Sequence, residues 1–578
     1  MTQNNLANAY SDRIKGDRAS NLESAISHYN LALEIYTKEK FPARWATTQN
    51  SLANAYMKSG KYKKAIECYE DTLEQNQNDL AYESILPSYK REKIEKTQGI
   101  WGNLAWAYLS VGDYKSSFVA LERGRSREAK LKYNIDKAIA SISKDKREKM
   151  IEKVKELRVE ERYLAIDQHR STKRYKELSS YIQKELEPIF DKDRYDANTT
   201  IKDIERLPIS YAIVAPLMSE YGNAIFIIKG GSKTIDRDSI VDSALSYDDT
   251  AKLAKKFLND VYVAGEVNSI DEIIERLSDT VAKDISDRLA SLSVDHILYL
   301  PSPYLSYLPL GSCRCEDTLL MQRYEFITLS NLYNLHISKE RRAIQKDSKL
   351  LAIINPTSDL NSTEVEGAVV EDMFSHTRAI RHSEATKSKI LKELSKPCDI
   401  FYYSGHAYSN ITGKREGGFR LKDANLTIND IISSSIDMNS TKLVVLSACQ
   451  TNMRDISILL ESASLADSFL ELGSRGVIST LWSVSDDASM LLMGKFFELY
   501  RDGNSVAKAL ASAQIWLKNL NRVDAIAILK RYKKGKSADI ADKLNDTIKE
   551  LEKTEYNDIY NVPYYWAGFV YSARADSI

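Results

Sequence analysis

The sequence predicts an α + α/β chain: a helical solenoid at the N-terminal end, followed by a larger domain built on a parallel sheet. Three observations carry this. A helix–turn–helix pattern recurs in the first 130 residues, a heavily charged helical stretch follows it, and beyond about residue 200 short unbroken apolar runs alternate with helical ones. At 578 residues the chain is too long for a single core. Its 43% apolar content, with only 11 prolines and 22 glycines, is that of an ordinary folded protein.

The repeat is explicit. Leu52-Ala53-x-x-Tyr56-x-x-x-Gly60-x-Tyr62-x-x-Ala65-x-x-x-Tyr69 returns as Leu104-Ala105-x-x-Tyr108-x-x-x-Gly112-x-Tyr114-x-x-Ser117-x-x-x-Leu121. A third copy runs from Leu6-Ala7-x-x-Tyr10 to Ala25-x-x-x-Tyr29, with extra residues in its turn. This is tetratricopeptide-repeat (TPR) spacing, in which small residues let paired helices approach while Leu and Tyr fill the space between them. Copies beginning at Leu6, Leu52 and Leu104 lie further apart than the usual ~34 residues, so the connecting helices or loops are expected to be extended. The expected division is repeats over 1–130 and a charged helical connector over 131–204. Acids and bases alternate in runs such as Lys144-Asp145-Lys146-Arg147-Glu148-Lys149, so the connector is read as a solvated hairpin, not a nucleic-acid surface.

Strands are expected at Tyr211–Leu217, Ala224–Lys229, His296–Leu300, Phe326–Leu329, Leu350–Ile354, Ile400–Tyr403, Leu443–Ser447 and Val477–Leu481. Unbroken apolar runs with helices between them imply parallel strands covered on both faces, as two sheets or two related halves.

The bulk numbers exclude several functions. Lys plus Arg and Asp plus Glu both count 81, so nothing in the charge asks for nucleic acid or an anionic membrane. The opening residues lack a basic and then apolar leader pattern, and the apolar runs are strand-sized, so neither a secretory signal nor a membrane span is expected. Five irregularly spaced cysteines point to a reducing, cytoplasmic setting. Cys313-Arg314-Cys315 lacks a second pair of ligands for zinc, and Gly60-Lys61 lacks the earlier glycine of a phosphate loop. No metal and no cofactor is expected.

Two strands end in reactive residues. Ile400-Phe401-Tyr402-Tyr403-Ser404-Gly405-His406 delivers an imidazole just past its strand, and Leu443-Val444-Val445-Leu446-Ser447-Ala448-Cys449 delivers a thiol. Ligands of open parallel sheets bind beyond the carboxyl ends of strands, so neighbouring strands would bring a nucleophile and its base together. The small residues around them (Gly405, Ala407, Ser447, Ala448) are read as room for a substrate backbone and for N–H groups aimed at an oxyanion. The remaining thiols and imidazoles have no such pairing. Cys68 sits at an inner repeat position, Cys398 precedes its strand, and His28, His169, His296, His336, His376 and His382 lack a strand-end partner.

On these residues, the segment from about 205 to 578 resembles the CHAT protease family, relatives of caspases and separase usually found behind TPRs. The matching stretches are Tyr403-Ser404-Gly405-His406-Ala407, Val444-Val445-Leu446-Ser447-Ala448-Cys449-Gln450-Thr451, Leu472-Gly473-Ser474-Arg475-Gly476 through Asp486-Asp487, and Pro563-Tyr564-Tyr565-Trp566-Ala567-Gly568-Phe569. Leu298-Tyr299-Leu300-Pro301, Tyr307-Leu308-Pro309-Leu310, Gly418-Phe419-Arg420-Leu421 and Leu121-Glu122-Arg123-Gly124-Arg125-Ser126 look like further landmarks.

The resemblance implies a caspase-like fold with an inactive half over 205–345 and an active half over 346–578. It implies peptide hydrolysis through a thioester, with Cys449 as nucleophile and His406 as catalytic histidine. The backbone N–H groups of Cys449 and Ala407 would form the oxyanion hole. Ala407 stands where many relatives have glycine, which keeps the N–H. Asp486, or Asp487 beside it, matches the separase stretch that receives a basic P1 side chain; the competing reading is a helix-start aspartate. The implied protein is a regulated intracellular cysteine endopeptidase. Its TPRs would bind a regulatory protein, a ribonucleoprotein or a protein substrate, and related proteins serve in bacterial defence, some linked to CRISPR complexes. The alternative is a catalytically silent scaffold. No nucleic-acid chemistry is implied.

Overall fold

In the computed structural model, the described residues are 2–82, 87–125, 142–166, 171, 173–186, 197–302, 304–332, 335, 344–408, 417–427, 430–431, 436–448, 464–575 and 578. The chain divides into two compact units. One holds Met1–Lys202 with Pro216–Phe226 and Ser232–Ile240; the other holds Asp203–Ala215, Ile227–Gly231 and Val241–Ile578.

In the first unit, helices Thr2–Asp12, Arg18–Leu33, Pro42–Lys58, Tyr62–Tyr82, Pro87–Ser110 and Tyr114–Arg125 pack each against the next. The small residues of the repeat permit this: Ala7, Ala25, Ala53, Ala65 and Ala105 are all fully buried. Equivalent tyrosines do equivalent work in two copies, the Tyr29 hydroxyl donating to Asn8 Oδ1 (2.6 Å) and the Tyr69 hydroxyl to Asn54 Oδ1 (2.5 Å). Gly60 and Gly112 take left-handed φ of 73° and 81° and close their helices, with Lys61 N donating to Tyr56 O and Asp113 N to Tyr108 O. The wide spacing of the second and third copies is explained by helix length, since Tyr62–Tyr82 and Pro87–Ser110 run to 21 and 24 residues, whereas the first two copies are set apart by the turn before Arg18 and the connection between Leu33 and Pro42.

The repeats end in a buried ion pair, Glu122 to Arg125 (3.2 Å), with Arg125 also donating to the Pro216 carbonyl. Gly124 beside it presses on Trp101, leaving no room for a Cβ. The Leu121–Arg125 motif is therefore a packing device; Ser126 lies outside the described residues. Among its described residues the expected connector is built of helices. Lys144–Ile166 and Lys173–Leu186 pair, with Lys146–Glu185 and Arg174–Glu156 contacts between them.

One large sheet organises the chain beyond residue 210. Its strands are β1 (Tyr211–Ser219), β2 (Gly222–Lys229), β3 (Ile240–Asp242), β4 (His296–Tyr299), β7 (Glu325–Leu329), β8 (Lys349–Ile354), β9 (His376–Arg381), β10 (Ile400–Ser404), β14 (Leu443–Ser447), β15 (Gly476–Thr480) and β16 (Phe569–Ala573). A two-stranded ribbon, β5 (Arg314–Cys315) and β6 (Thr318–Leu319), stands apart, as does a three-stranded antiparallel sheet, β11 (Ala407–Tyr408), β12 (Gly418–Arg420) and β13 (Asn425–Thr427). All eight strands expected from the sequence are present.

The strand order is β3-β2-β1-β4-β7-β16-β15-β14-β10-β8-β9. Strands β1, β4, β7 and β16 are mutually parallel, and so are β15, β14, β10, β8 and β9. The two sets meet antiparallel at β16 and β15, with Ile478 opposite Tyr571. Instead of two sheets there is one mixed sheet, in which the C-terminal strand joins two oppositely directed parallel sets.

Both faces around β10 are covered, which is why its five residues are all buried. Phe401 and Tyr403 face a cluster with Val444, Leu446, Phe419 and Phe469, while Tyr402 packs edge-on against Phe497 of helix Asp486–Arg501 on the other side. The C-terminal landmark is structural: Trp482 Nε1 donates to the Tyr564 carbonyl, and Gln514 bonds the carbonyls of Trp566 and Phe569. Among the described residues no helix is long and apolar enough to cross a membrane.

Candidate active site

Strands β10 and β14 are parallel neighbours in register, Ser404 opposite Ser447. His406 follows Ser404 by two positions and Cys449 follows Ser447 by two. Cys449 itself lies outside the described residues, which on that strand end at Ala448, buried and accepting the Thr480 hydroxyl through its carbonyl (2.6 Å).

His406 is held by its backbone. Its carbonyl accepts Arg420 N (2.9 Å) and the Tyr403 hydroxyl (2.8 Å). Its side chain is free to project, about one-third exposed, and Nε2 lies 3.0 Å from Asp359 Oδ2. Asp359 has no counterpart in the sequence reading. It comes from the loop after β8, where Asn355, at φ 44°, accepts the backbone N–H groups of Asp359 and Leu360 on its side-chain oxygen (both 3.2 Å). The Thr357 hydroxyl bonds Asp359 Oδ1 and, with the His406 imidazole, holds its carboxyl below the ordinary aspartate range. A strand end followed by Asn355-Pro356-Thr357-Ser358-Asp359 carries the local signal of an Asx turn, which could have marked this loop.

Gly405 has a reason other than substrate access. A Cβ there would sit 2.8 Å from Pro356 Cδ, so the glycine lets the Asp359 loop lie against the histidine strand. Ala407 opens β11, half-buried and opposite Phe419.

Asp486 and Asp487 begin helix Asp486–Arg501, where carboxylates suit the helix dipole. They diverge. Asp487 accepts the Ser485 hydroxyl (3.1 Å), and its charge bears on Tyr560. Asp486 keeps a solvent-accessible face but sits among dense surroundings. Desolvation, then the Asp487 charge, raises its carboxyl, and the His406 imidazole opposes the rise.

The other described thiols are poor nucleophiles. Burial raises Cys313, Cys315 and Cys398, and it pushes Cys68 up to about 12. His28 stacks on Tyr10, His296 stacks on Tyr211, and His382 bridges Ser358 and Glu364. His169 and His336 lie outside the described residues. No cluster of metal-ligating side chains occurs among the described residues.

The CHAT domain profile matches residues 271–574, more than half of the chain, and the tetratricopeptide repeat profile matches 46–79. The chain belongs to the CHAT family. No curated protein sequence matches this CHAT chain. Among solved structures it is similar to the separase–securin complex of Saccharomyces cerevisiae, at 10% identity and a TM-score of 0.48, over 86% of this chain and 39% of that one. It is also similar to the Arg specific cysteine proteinase gingipain R, at 10% identity and a TM-score of 0.30, over 54% and 68% of the two chains. A third is the complex of Porphyromonas gingivalis RgpB pro- and mature domains, at 11% identity and a TM-score of 0.28, over 57% and 76%. The CHAT chain thus spans about two fifths of the separase chain.

If His406 is catalytic, Asp359 is expected to orient it, not to do chemistry. An exposed pair contributes about 1 kcal/mol at most, so Asp359→Ala should lower kcat/KM about fivefold, and less at high salt. A loss as large as that of His406→Ala would make Asp359 a chemical participant.

Proposed function

We propose that this CHAT protein is a cysteine endopeptidase working through His406 and Cys449. The observation that carries the reading is the parallel pairing of β10 with β14 in register at Ser404 and Ser447, the two residues from which the chain runs on to the imidazole and the thiol. In this reading the Cys449 thiolate attacks the scissile carbonyl carbon. The C–N bond then breaks as His406 gives its proton to the departing amine. Water attacks the thioester, His406 takes its proton, and the C–S bond breaks to return the thiolate beside a protonated His406, the starting state. The N–H groups of Cys449 and Ala407 would receive the oxyanion. Asp359 keeps the imidazole turned toward its work, and Asp486 is the acid that would receive a basic P1 side chain.

The TPR unit is the proposed docking place for a regulator or protein substrate, since such solenoids bind extended protein surfaces. Among its described residues the proposed half over 205–345 carries no thiol–imidazole pair at its strand ends, and it would serve as a non-catalytic scaffold for the half over 346–578. A place in bacterial defence fits a protease governed by such a binding unit.

Labelling tests the reading. A peptide ending in a P1-arginine acyloxymethyl ketone should modify Cys449 alone among the five cysteines, and His406→Ala should slow that labelling at least tenfold. Equal labelling of Cys449 in wild type and His406→Ala would leave a silent scaffold as the better description.

A further inference from the structure

Beneath the strand ends lies a carboxyl that the proposed chemistry does not use. Helix Asn361–Glu371 packs on β8, so closely that a Cβ on Gly367 would come within 2.5 Å of Ile354. From this helix Glu366 projects inward and is 2% exposed. Its Oε1 accepts the hydroxyls of Tyr402 and, at 3.0 Å, Ser404; Ser447 bonds the same carboxyl from the neighbouring strand. No cation pairs with it in these contacts. The ionisable groups bearing on it are Tyr402 from β10 and Asp486 from the helix on the same side of the sheet.

A buried carboxyl held only by hydroxyls is a costly way to fill space, and an apolar side chain of similar volume would serve a purely structural purpose better. What the carboxyl adds is a joint. Ser404 and Ser447 are register partners, and each stands two positions before a member of the proposed dyad. We infer that Glu366 is a positioning residue of this site, tying the ends of β10 and β14 together so that the residues beyond them keep a fixed separation. The inference rests on the proteolytic reading of His406 and Cys449.

The joint has two states. Burial, helped by the Asp486 charge, raises Glu366 to about 7 against the opposing pull of its hydroxyl partners. Ionised, the carboxylate accepts from all three hydroxyls. Protonated, it becomes a donor itself, and one hydroxyl must reverse from donor to acceptor, exchanging charge-assisted hydrogen bonds for weaker neutral ones. The strand ends are therefore held more tightly above this pH than below it.

The test is the pH dependence of Cys449 alkylation by iodoacetamide, followed by mass spectrometry on the full chain. Wild type should show an inflection near pH 7 in addition to that of the thiol. Glu366→Gln, fixed in a donor-bearing form, should lose this inflection and react roughly ten- to hundredfold more slowly at pH 8. Tyr402→Phe removes one hydroxyl that favours the ionised form, so its inflection should move to higher pH. This milder variant decides the matter if Glu366→Gln fails to fold. A Tyr402→Phe inflection that stays in place overturns the positioning role, as does a Glu366→Gln profile that coincides with wild type while His406→Ala still slows alkylation. Alkylation indifferent to His406→Ala overturns the proteolytic reading itself, and the positioning role with it.

Discussion

Replacing Cys449 with alanine is expected to abolish peptide cleavage, with a fall of at least about 10⁴-fold in kcat, and His406→Ala should lose nearly as much. The two losses should not multiply in the double variant, because a nucleophile and its proton carrier act as one unit. Neither single variant should unfold the protein. For His406 the structure gives the reason: the anchoring contacts to Tyr403 and Arg420 are made by its carbonyl, which survives truncation of the side chain. Thermal melting within a few degrees of wild type, beside lost cleavage of a peptide library, is the expected pattern. Activity should persist in EDTA and vanish with iodoacetamide. Unchanged turnover in either variant would sink the dyad.

The strands of the candidate site were legible because burial on both faces writes itself as unbroken apolar runs. Phe401-Tyr402-Tyr403 and Leu443-Val444-Val445-Leu446 read as strands in any context, and the reactive residue after each stood out against them. The repeats were legible for a related reason, since close helix approach demands alanine at fixed steps and a left-handed turn demands glycine.

Three features were harder to read. Strand β9, His376-Thr377-Arg378-Ala379-Ile380-Arg381, lies at the sheet edge, so its solvated residues broke the apolar pattern. Strand β16 carries Tyr571 and Ser572 among apolar residues, and only its first residue, Phe569, falls within a family landmark, though the strand joins the two parallel sets. Asp359 and Glu366 belong to a loop and a helix whose relevance depends on long-range placement. Asp359 lies 47 positions from His406 and Glu366 lies 38 from Ser404, distances over which a single sequence offers no pairing signal.

Specificity gives the other large effect. If the acid of the P1 pocket is Asp486, an exposed carboxylate that a bound P1 side chain would cover, then Asp486→Asn should cut kcat/KM for substrates with Arg or Lys at P1 by about 30-fold, which corresponds to the loss of roughly 2 kcal/mol for one partner of a pair desolvated on binding. Asp487→Asn should change it little, because the Ser485 hydroxyl already engages Asp487 at the helix start. Desolvation, then the Asp487 charge, raises the Asp486 carboxyl, so the ionised form that would pair with a cationic side chain is lost at a higher pH than for an ordinary aspartate. Cleavage after basic residues should therefore rise with pH through that elevated value. In Asp486→Asn the ratio of kcat/KM for basic over apolar P1 peptides should lose this rise, while iodoacetamide labelling of Cys449 at pH 8, where Glu366 is ionised with or without the Asp486 charge, proceeds as in wild type. The measurement is kcat/KM on matched peptides differing only at P1, taken across pH. Cleavage after apolar or acidic residues, untouched by Asp486→Asn, would return Asp486 to an ordinary helix-start role. The P1 pocket would then have to be built from other side chains around His406, with the dyad itself unaffected.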